Sequence, residues 1–197
     1  MKKSFSIYLF RHGQSVYNAG GMRKNARFTG WRNIKLTKLG LQQAKKIAKK
    51  LKNKKIDIAF QTRLSRSKDT LKEVLKYHPE CRKIITDDRM IERSYGKLQG
   101  LKHKTAIQKY GLKQFNLWHR SYNVRPPKGE SLKDVEKRVN SFIKDLLRMI
   151  KQKRVNVAIS AHGNSMRPFR KYFEHLTRKQ MISLENPYDD YFEYKIN

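Results

Sequence analysis

The chain has 197 residues and a mass of 23.5 kDa, which fits a single domain spanning residues 1–197. Its composition is 38% hydrophobic and 32% charged, and no stretch approaches the roughly 20 apolar residues that cross a bilayer, which excludes a membrane protein. The formal net charge of +31 predicts attraction to anions. Since the basic residues are spread along the chain, we expect no specific nucleic-acid partner, and the single cysteine favours a reducing, cytoplasmic location.

The first predicted element is a buried parallel strand, because the apolar run Ile7–Phe10 stops abruptly at Arg11-His12-Gly13. Ligands of open α/β sheets bind at the carboxyl ends of the strands. A second run, Val155–Ala161, leads into His162-Gly163-Asn164 in the same way. If these strands are neighbours, about 4.8 Å apart, the two imidazoles can face one phosphate.

The segments between these two strands alternate between helical and strand patterns. The predictions in chain order are a flexible basic loop over residues 19–27, a helix capped by Thr37, a strand at residues 56–60, a helix capped by Ser65, a strand at residues 83–86, a helical stretch at residues 102–120 broken at Gly111, and a helix opened by Ser131. After His162 we expect a helix capped by Asn164 and a final edge strand at residues 191–196. This alternation predicts an α/β fold, a three-layer α/β/α sandwich around a mainly parallel sheet.

The residues that follow the strand ends suit phosphoryl transfer, which is mainly a matter of positioning and charge stabilisation. His12 is a possible nucleophile, and Arg11 and Arg63, which follows the strand at residues 56–60, offer planar cationic forks for phosphate oxygens. His162 can donate a further hydrogen bond, and Glu92 is the candidate proton donor to the departing hydroxyl. Each residue alone has a structural alternative, such as a core histidine or a surface ion pair. Their shared placement after strand ends favours a site.

A metal site is not predicted. The six histidines show no helical i, i+4 pair and no acidic cluster around them. A metal-free covalent mechanism is therefore the simpler interpretation.

The chain resembles the cofactor-dependent phosphoglycerate mutases of the histidine phosphatase superfamily. Five ordered stretches carry the resemblance: residues 11–15 with Asn18, residues 28–31, residues 92–100, residues 115–122 and residues 160–165. The resemblance implies that His12 becomes a phosphohistidine, that 2,3-bisphosphoglycerate is the priming cofactor, and that Glu92 acts as acid and base. It further implies conversion between 3-phosphoglycerate and 2-phosphoglycerate, a step of glycolysis and gluconeogenesis.

The resemblance also implies a set of ligand-binding residues. Arg11, Asn18, Arg63 and His162 would surround the phosphate. The phosphoglycerate would lie against Thr29, Gly30, Tyr95, Arg120, Gly163 and Asn164, with Ser15, Lys102, His103 and His119 as further candidates.

Four departures from the family pattern bear on function. The loop between Asn18 and Thr29 is longer than usual, His103 stands where a substrate lysine is typical, and His119-Arg120 replaces an Arg-Arg pair. The chain ends soon after Tyr194, so we expect the tail that covers the site in many mutases to be missing and water to reach the site more easily.

Two rival interpretations therefore stay open. The first is a phosphatase that uses the same chemistry on phosphate monoesters, and the second is a basic nucleic-acid-binding protein on an inert fold. We expect a monomer or a small homo-oligomer.

Overall fold

The computed structural model describes residues 4–19 and 26–197. Within them, one sheet contains five strands: β1 (Phe5–Arg11), β2 (Ile58–Gln61), β3 (Lys83–Thr86), β4 (Val157–Ala161) and β5 (Tyr191–Ile196). The spatial order is β3-β2-β4-β1-β5, with β5 antiparallel to β1 and every other pair parallel. The predicted mainly parallel sheet and its antiparallel edge strand are confirmed.

The helices cover both faces of this sheet. They are α1 (Lys38–Leu51), α2 (Ser65–Leu75), α3 (His103–Arg120), α4 (Leu132–Lys153), α5 (Gly163–Phe173) and α6 (Arg178–Ser183), with short 3₁₀ turns at Asp88–Met90 and Gly96–Leu98. Alternate residues of β1 serve the two faces. Ile7 and Leu9 pack with α4 and α5, whereas Tyr8 and Phe10 pack with α1 and α2. The predicted three-layer sandwich is therefore confirmed.

Helix α3 lies outside these two layers and has its own apolar cluster. Phe115 and Trp118 pack there with Phe28 and Tyr95. Gly111 interrupts the helix with φ 79° and ψ 155°, in a region that residues with a side chain rarely adopt. The break predicted at Gly111 is confirmed. This cluster supports one wall of the cavity described below.

Two of the four predicted helix caps are confirmed. The Thr37 hydroxyl accepts from the backbone N–H of Gly40 at 2.9 Å, and Ser131 forms a capping box with Asp134. Ser65 is not a cap: it is the first residue of α2, and its backbone N–H donates to the side chain of Asn33. The segment before α1, which is distant in sequence, thus supplies an acceptor at the start of α2.

The predicted cap at Asn164 is also wrong. Helix α5 begins at Gly163 with His162 as its N-cap, and the N–H of Asn164 donates to the Glu92 carboxylate at 3.1 Å. A carboxylate from a distant segment therefore satisfies the exposed N–H of this helix end.

Two further predictions concern segment boundaries. The second strand begins at Ile58 and not at Ile56, because the N–H of Ile56 donates to the Glu80 side chain. Of the loop predicted over residues 19–27, residues 20–25 lie outside the described residues. In the ranges 4–19 and 26–197, no helix is long and apolar enough to cross a bilayer.

Candidate active site

The pairing of β1 with β4 places two histidines side by side. Arg11 is in register with Ala161, and the N–H of His12 continues the ladder by donating to the Ala161 carbonyl at 3.1 Å. The imidazole centroids of His12 and His162 are 4.9 Å apart, and both rings are buried. The two strand ends thus meet as the sequence pattern predicts.

The hydrogen bonds of His12 define which ring nitrogen is free to react. Its Nδ1 lies 2.7 Å from the Gly13 carbonyl, which can only accept, so Nδ1 carries the proton. Its Nε2 accepts from the guanidinium Nε of Arg66 at 3.2 Å. Burial, with Arg66 and Arg11 nearby, holds the pKa of His12 well below its usual value. The ring is therefore neutral at physiological pH, and the lone pair that it can offer to a ligand is that of Nε2, in place of the hydrogen bond from Arg66.

Arg66 occupies the place that the sequence interpretation assigned to Arg63. The Arg66 guanidinium is fully buried and also donates to the carbonyls of Arg32 and Gly30, each at 2.8 Å. Burial lowers the pKa of Arg66 to about 10, which leaves it cationic at neutral pH. Because Arg66 lies in the first turn of α2, its side chain points back toward the carboxyl end of β1, where it contacts His12.

Arg63, in contrast, is exposed. Its guanidinium pairs with Asp88 at 2.6 Å and lies over the Trp31 ring, and Arg63 is not among the described residues that line the cavity. The expectation that Arg63 follows the strand into the site is thus corrected. The loop before α2 turns this side chain outward.

Two buried polar atoms beside His12 lack a partner within the described residues. They are Nε of Arg11 and Nδ1 of His162. The other ring nitrogen of His162, Nε2, is bonded to the Thr62 hydroxyl at 2.8 Å. Buried polar groups are normally satisfied, so unpartnered atoms next to a nucleophile indicate a ligand. A tetrahedral anion would supply acceptors to both.

Glu92 lies at the same place, only 8% exposed. Its Oε1 accepts from the backbone N–H groups of Arg93 at 2.8 Å and Asn164 at 3.1 Å. Its own carbonyl is held by Trp31 and Arg138. Within the described residues Oε2 has no partner. The bonds to Oε1 therefore fix the carboxylate, and Oε2 is available to a ligand.

The chemistry of this cluster favours an anion over a cation. Ligand atoms of His12, Glu92 and His162 lie within 4.8 Å of one another, a spacing that a metal ion could bridge. Arg66 donates directly into the cluster, however, and Arg11 adds a second positive charge that would repel a cation. The absence of a metal stays a prediction.

A cavity of about 440 Å³ opens in front of His12. Among the described residues, five arginines but only two carboxylates line it: Arg11, Arg27, Arg66, Arg120, Arg167, Glu92 and Glu185. That excess of positive charge suits a small ligand with several negative charges. Of the residues predicted to bind substrate, the cavity is lined by Asn18, Thr29, Gly30, Tyr95, His103, His119, Arg120, Gly163 and Asn164.

A second pair of histidines lines the α3 side of this cavity. The rings of His103 and His119 are 5.4 Å apart and pack against Phe28 and Phe115. Burial lowers the pKa of both, that of His119 to about 3 with Arg120 adding to the effect. The Arg120 guanidinium lies 3.9 Å from the Glu185 carboxylate. The lasting positive charge on this side is therefore carried by arginine.

Two of the substrate-binding candidates lie away from the cavity lining within the described chain, and so does the fully buried His162, which adjoins His12. The buried Ser15 donates its hydroxyl to the Asn18 side chain at 2.6 Å, so it positions a lining residue. Lys102 is exposed at the start of α3, where its backbone bridges to Arg27.

Sequence reasoning did not name several residues of the cavity wall, among them Arg66, Arg167, Asn186 and Tyr188. The spacing Arg63-Leu64-Ser65-Arg66 contained a signal for the first, since a helix start brings the first-turn residues back toward the strand end. Residues 184–188 belong to no recognised motif and follow a helix of six residues, so no periodicity marked them.

Comparison with known proteins agrees with this geometry. The model of the histidine phosphatase superfamily (branch 1) matches residues 7–193, and the chain belongs to that superfamily. The resemblance seen in the sequence is thereby confirmed, as is the prediction that the chain is an enzyme.

Curated relatives point to one group within the superfamily. A 2,3-bisphosphoglycerate-dependent phosphoglycerate mutase of Rhizobium meliloti is 39% identical, over 98% of this chain and 91% of its own length. A phosphoglycerate mutase of Schizosaccharomyces pombe is 38% identical, over 91% of this chain and 84% of its own. Both proteins are similar to this chain over most of their own length.

Solved structures share the fold at lower identity. A mycobacterial glucosyl-3-phosphoglycerate phosphatase superposes with a TM-score of 0.80 at 22% identity, covering 97% of this chain and 90% of its own. A putative alpha-ribazole-5'-P phosphatase of Escherichia coli gives 0.81 at 20% identity, covering 99% and 92%. These similarities establish the fold alone.

Proposed function

We propose that the protein is a 2,3-bisphosphoglycerate-dependent phosphoglycerate mutase that interconverts 3-phosphoglycerate and 2-phosphoglycerate through a phosphohistidine at His12. The observation that carries the proposal is the neutral His12 ring, with Nε2 facing Arg66 and two buried polar atoms beside it that have no partner within the described residues. The mutase relatives at 38–39% identity support the substrate class. The role would place the enzyme in glycolysis and gluconeogenesis in the cytoplasm.

In the first half of the reaction, His12 acts as the nucleophile. Its Nε2 forms a bond to phosphorus, and the bond from phosphorus to the substrate oxygen breaks with its electron pair on oxygen. Glu92, entering the step protonated, delivers a proton to that oxygen through Oε2. Arg11 and Arg66 stabilise the charge on the transferring phosphoryl group, and His162 donates from Nδ1.

In the second half, the same groups act in reverse. Glu92 takes the proton from the acceptor hydroxyl, whose oxygen bonds to phosphorus while the electron pair of the P–N bond returns to Nε2 of His12. Arg120 and Arg167 line the cavity and would hold the remaining carboxylate and phosphate. The cavity of about 440 Å³ leaves room for the sugar acid to turn between the two halves.

The residues present also fit the bisphosphate cofactor. The unpartnered Nε of Arg11 and Nδ1 of His162 would meet one phosphate, and Arg120 and Arg167 the other. When bound, 2,3-bisphosphoglycerate supplies the phosphoryl group that keeps His12 phosphorylated.

A phosphatase acting on phosphate monoesters is the second candidate. The observation that favours it is that His103 and His119, on the α3 side, are neutral. Neutral rings bind a second anionic group of the substrate more weakly than permanent cations would. Tight binding of that second group is needed only if the substrate must stay bound until the phosphoryl group is transferred back to it.

One assay separates the two candidates. The protein is incubated with 3-phosphoglycerate, with and without 2,3-bisphosphoglycerate, while phosphorus NMR follows 2-phosphoglycerate and inorganic phosphate together. A mutase forms 2-phosphoglycerate much faster when primed and releases little phosphate. Rapid phosphate release without isomerisation would establish the phosphatase instead.

A further inference from the structure

Residues 184–188 form a wall of the cavity that the proposed mechanism has not used. The segment joins α6, which ends at Ser183, to β5, which begins at Tyr191. Three of its residues are tied to α5: Leu184 accepts from Arg167, Glu185 accepts from Arg170, and Asn186 is bonded to both Gly163 and Arg170. Such a density of hydrogen bonds fixes the backbone of the segment in place.

The same segment grips Arg11 directly. The Asn186 carbonyl accepts from Nη1 of Arg11 at 3.1 Å, and the Tyr188 ring centre lies 3.9 Å from the guanidinium carbon. A Cβ at Gly163 would come within 3.3 Å of that carbon, so the backbone there also bounds the guanidinium. Arg11 is thus held on several sides, while its Nε has no partner in the part of the chain that the structure describes.

Tyr188 also stands next to the nucleophile. Its ring centroid is 6.4 Å from that of His12, and the residue lines the cavity. Burial raises the pKa of its phenol, so the ring is neutral and keeps an electron-rich face toward Arg11. A planar apolar ring at this distance occupies space that water would otherwise fill.

We propose that Tyr188 is a positioning residue that holds Arg11 at the phosphate site and shields phosphorylated His12 from water. The proposal rests on the proposed function, since it concerns the fate of the phosphohistidine. In hydrolysis, a water oxygen bonds to phosphorus, the P–N bond breaks with its electron pair on Nε2, and a water proton passes to Glu92. Tyr188 disfavours this route by limiting the approach of water, and so it leaves the sugar acid as the acceptor.

The test compares Tyr188→Leu and Tyr188→Phe with Tyr172→Leu, a control at a tyrosine that is 49% exposed on α5. Each protein is phosphorylated with labelled 2,3-bisphosphoglycerate and freed of excess, and the decay of acid-labile label is followed. We expect Tyr188→Leu to lose label at least about tenfold faster than the parent. Tyr188→Phe, which keeps the ring, and the control should stay within about twofold. A Tyr188→Leu phosphoenzyme as long-lived as the parent overturns the shielding role.

A second measurement does not need a phosphohistidine. Calorimetric titration of the unphosphorylated proteins with orthovanadate, a tetrahedral oxyanion, reports on the position of Arg11. Tyr188→Leu should bind it about tenfold more weakly and Tyr188→Phe as the parent does, because only the former loses the stacked ring. Equal vanadate affinity in Tyr188→Leu overturns the positioning role.

The two measurements also separate this inference from the proposed function. A parent protein that takes up no label contradicts the phosphohistidine, and the vanadate titration still decides whether Tyr188 positions Arg11. If Tyr188→Leu does not fold, as judged by circular dichroism, Tyr188→Met removes the ring with a more adaptable side chain.

Discussion

Two pairs of histidines lie at the same cavity, which His12, His103 and His119 line, and the surroundings of the pairs differ. His12 and His162, 4.9 Å apart, each have a hydrogen-bonded ring nitrogen, and Arg66 and Arg11 adjoin them. His103 and His119, 5.4 Å apart, pack against phenylalanine rings, and Nδ1 of His103 is buried without a partner in the described chain. Burial keeps both pairs neutral.

The difference shows what makes an imidazole a nucleophile. Neutrality is common to both pairs, so it cannot be the deciding property. What distinguishes His12 is a fixed tautomer, with Nδ1–H donated to Gly13, and cations placed to receive the charge of a phosphoryl group. The α3 pair offers shape and polarisable surface to a ligand but no such arrangement. Three predictions test this contrast, from the largest expected effect to the smallest.

The largest effect is expected from removal of the nucleophile. His12→Ala should abolish labelling by 2,3-bisphosphoglycerate and lower kcat/KM by about 10⁴-fold or more, because the change removes the nitrogen that bonds phosphorus in the proposed reaction. His103→Asn on the α3 side should keep the label. Quantitation of acid-labile phosphate after a single incubation distinguishes them.

His175→Asn is the matched control for both variants. His175 is exposed and has a φ of 52°, a conformation that asparagine tolerates. Labelling of the His12→Ala protein at the parental level would mean that a different residue carries the phosphate.

The second prediction concerns the arginine that faces Nε2. Arg66→Lys should lower kcat by about 10²- to 10³-fold, since three separate guanidinium nitrogens bond His12, Arg32 and Gly30, whereas a lysine has a single nitrogen. Arg63→Lys is the matched control, and its exposed pair with Asp88 should make the change worth less than about twofold. Steady-state kinetics with 3-phosphoglycerate measures both. A larger loss at Arg63 than at Arg66 would restore the interpretation made from the sequence.

That pair of arginines marks the limit of what the sequence could predict. The apolar runs into Arg11-His12 and Ala161-His162 determined the parallel strands and the meeting of the two rings, because parallel neighbours end at the same sheet edge. Which of two arginines three residues apart turns inward depends on the path of a short loop. Strand periodicity says nothing about that path.

The helix caps and the cavity wall at residues 184–188 likewise show what the sequence could not predict. Thr37 and Ser131 satisfy N–H groups within their own helix ends, so the local pattern was sufficient. At α5 the acceptor is Glu92, which is 72 residues away in the chain, and only the tertiary structure brings it there. Tyr188 is likewise defined by its contact with Arg11, a residue from the opposite end of the described chain.

The smallest effect is expected on stability as a function of pH, and it concerns the α3 pair. Burial lowers the pKa of His119 to about 3, whereas a histidine in the unfolded chain titrates near 6.5. Between these values the unfolded chain binds a proton that the folded protein does not. The free energy of unfolding therefore falls as the pH drops below about 6.5, by up to about 1.4 kcal/mol per pH unit for each such histidine.

His119→Phe should remove one of these protons and reduce the slope by about that amount, while the curve above pH 7 stays flat. Urea unfolding at pH 7, 6 and 5 measures the slope, and His175→Asn, at an exposed position, is the matched control that should leave the slope unchanged. An unchanged slope in His119→Phe would mean that His119 is protonated in the folded protein. The α3 side would then carry a second cation for the substrate. The two pairs of histidines would then differ only in that His12 has a fixed tautomer.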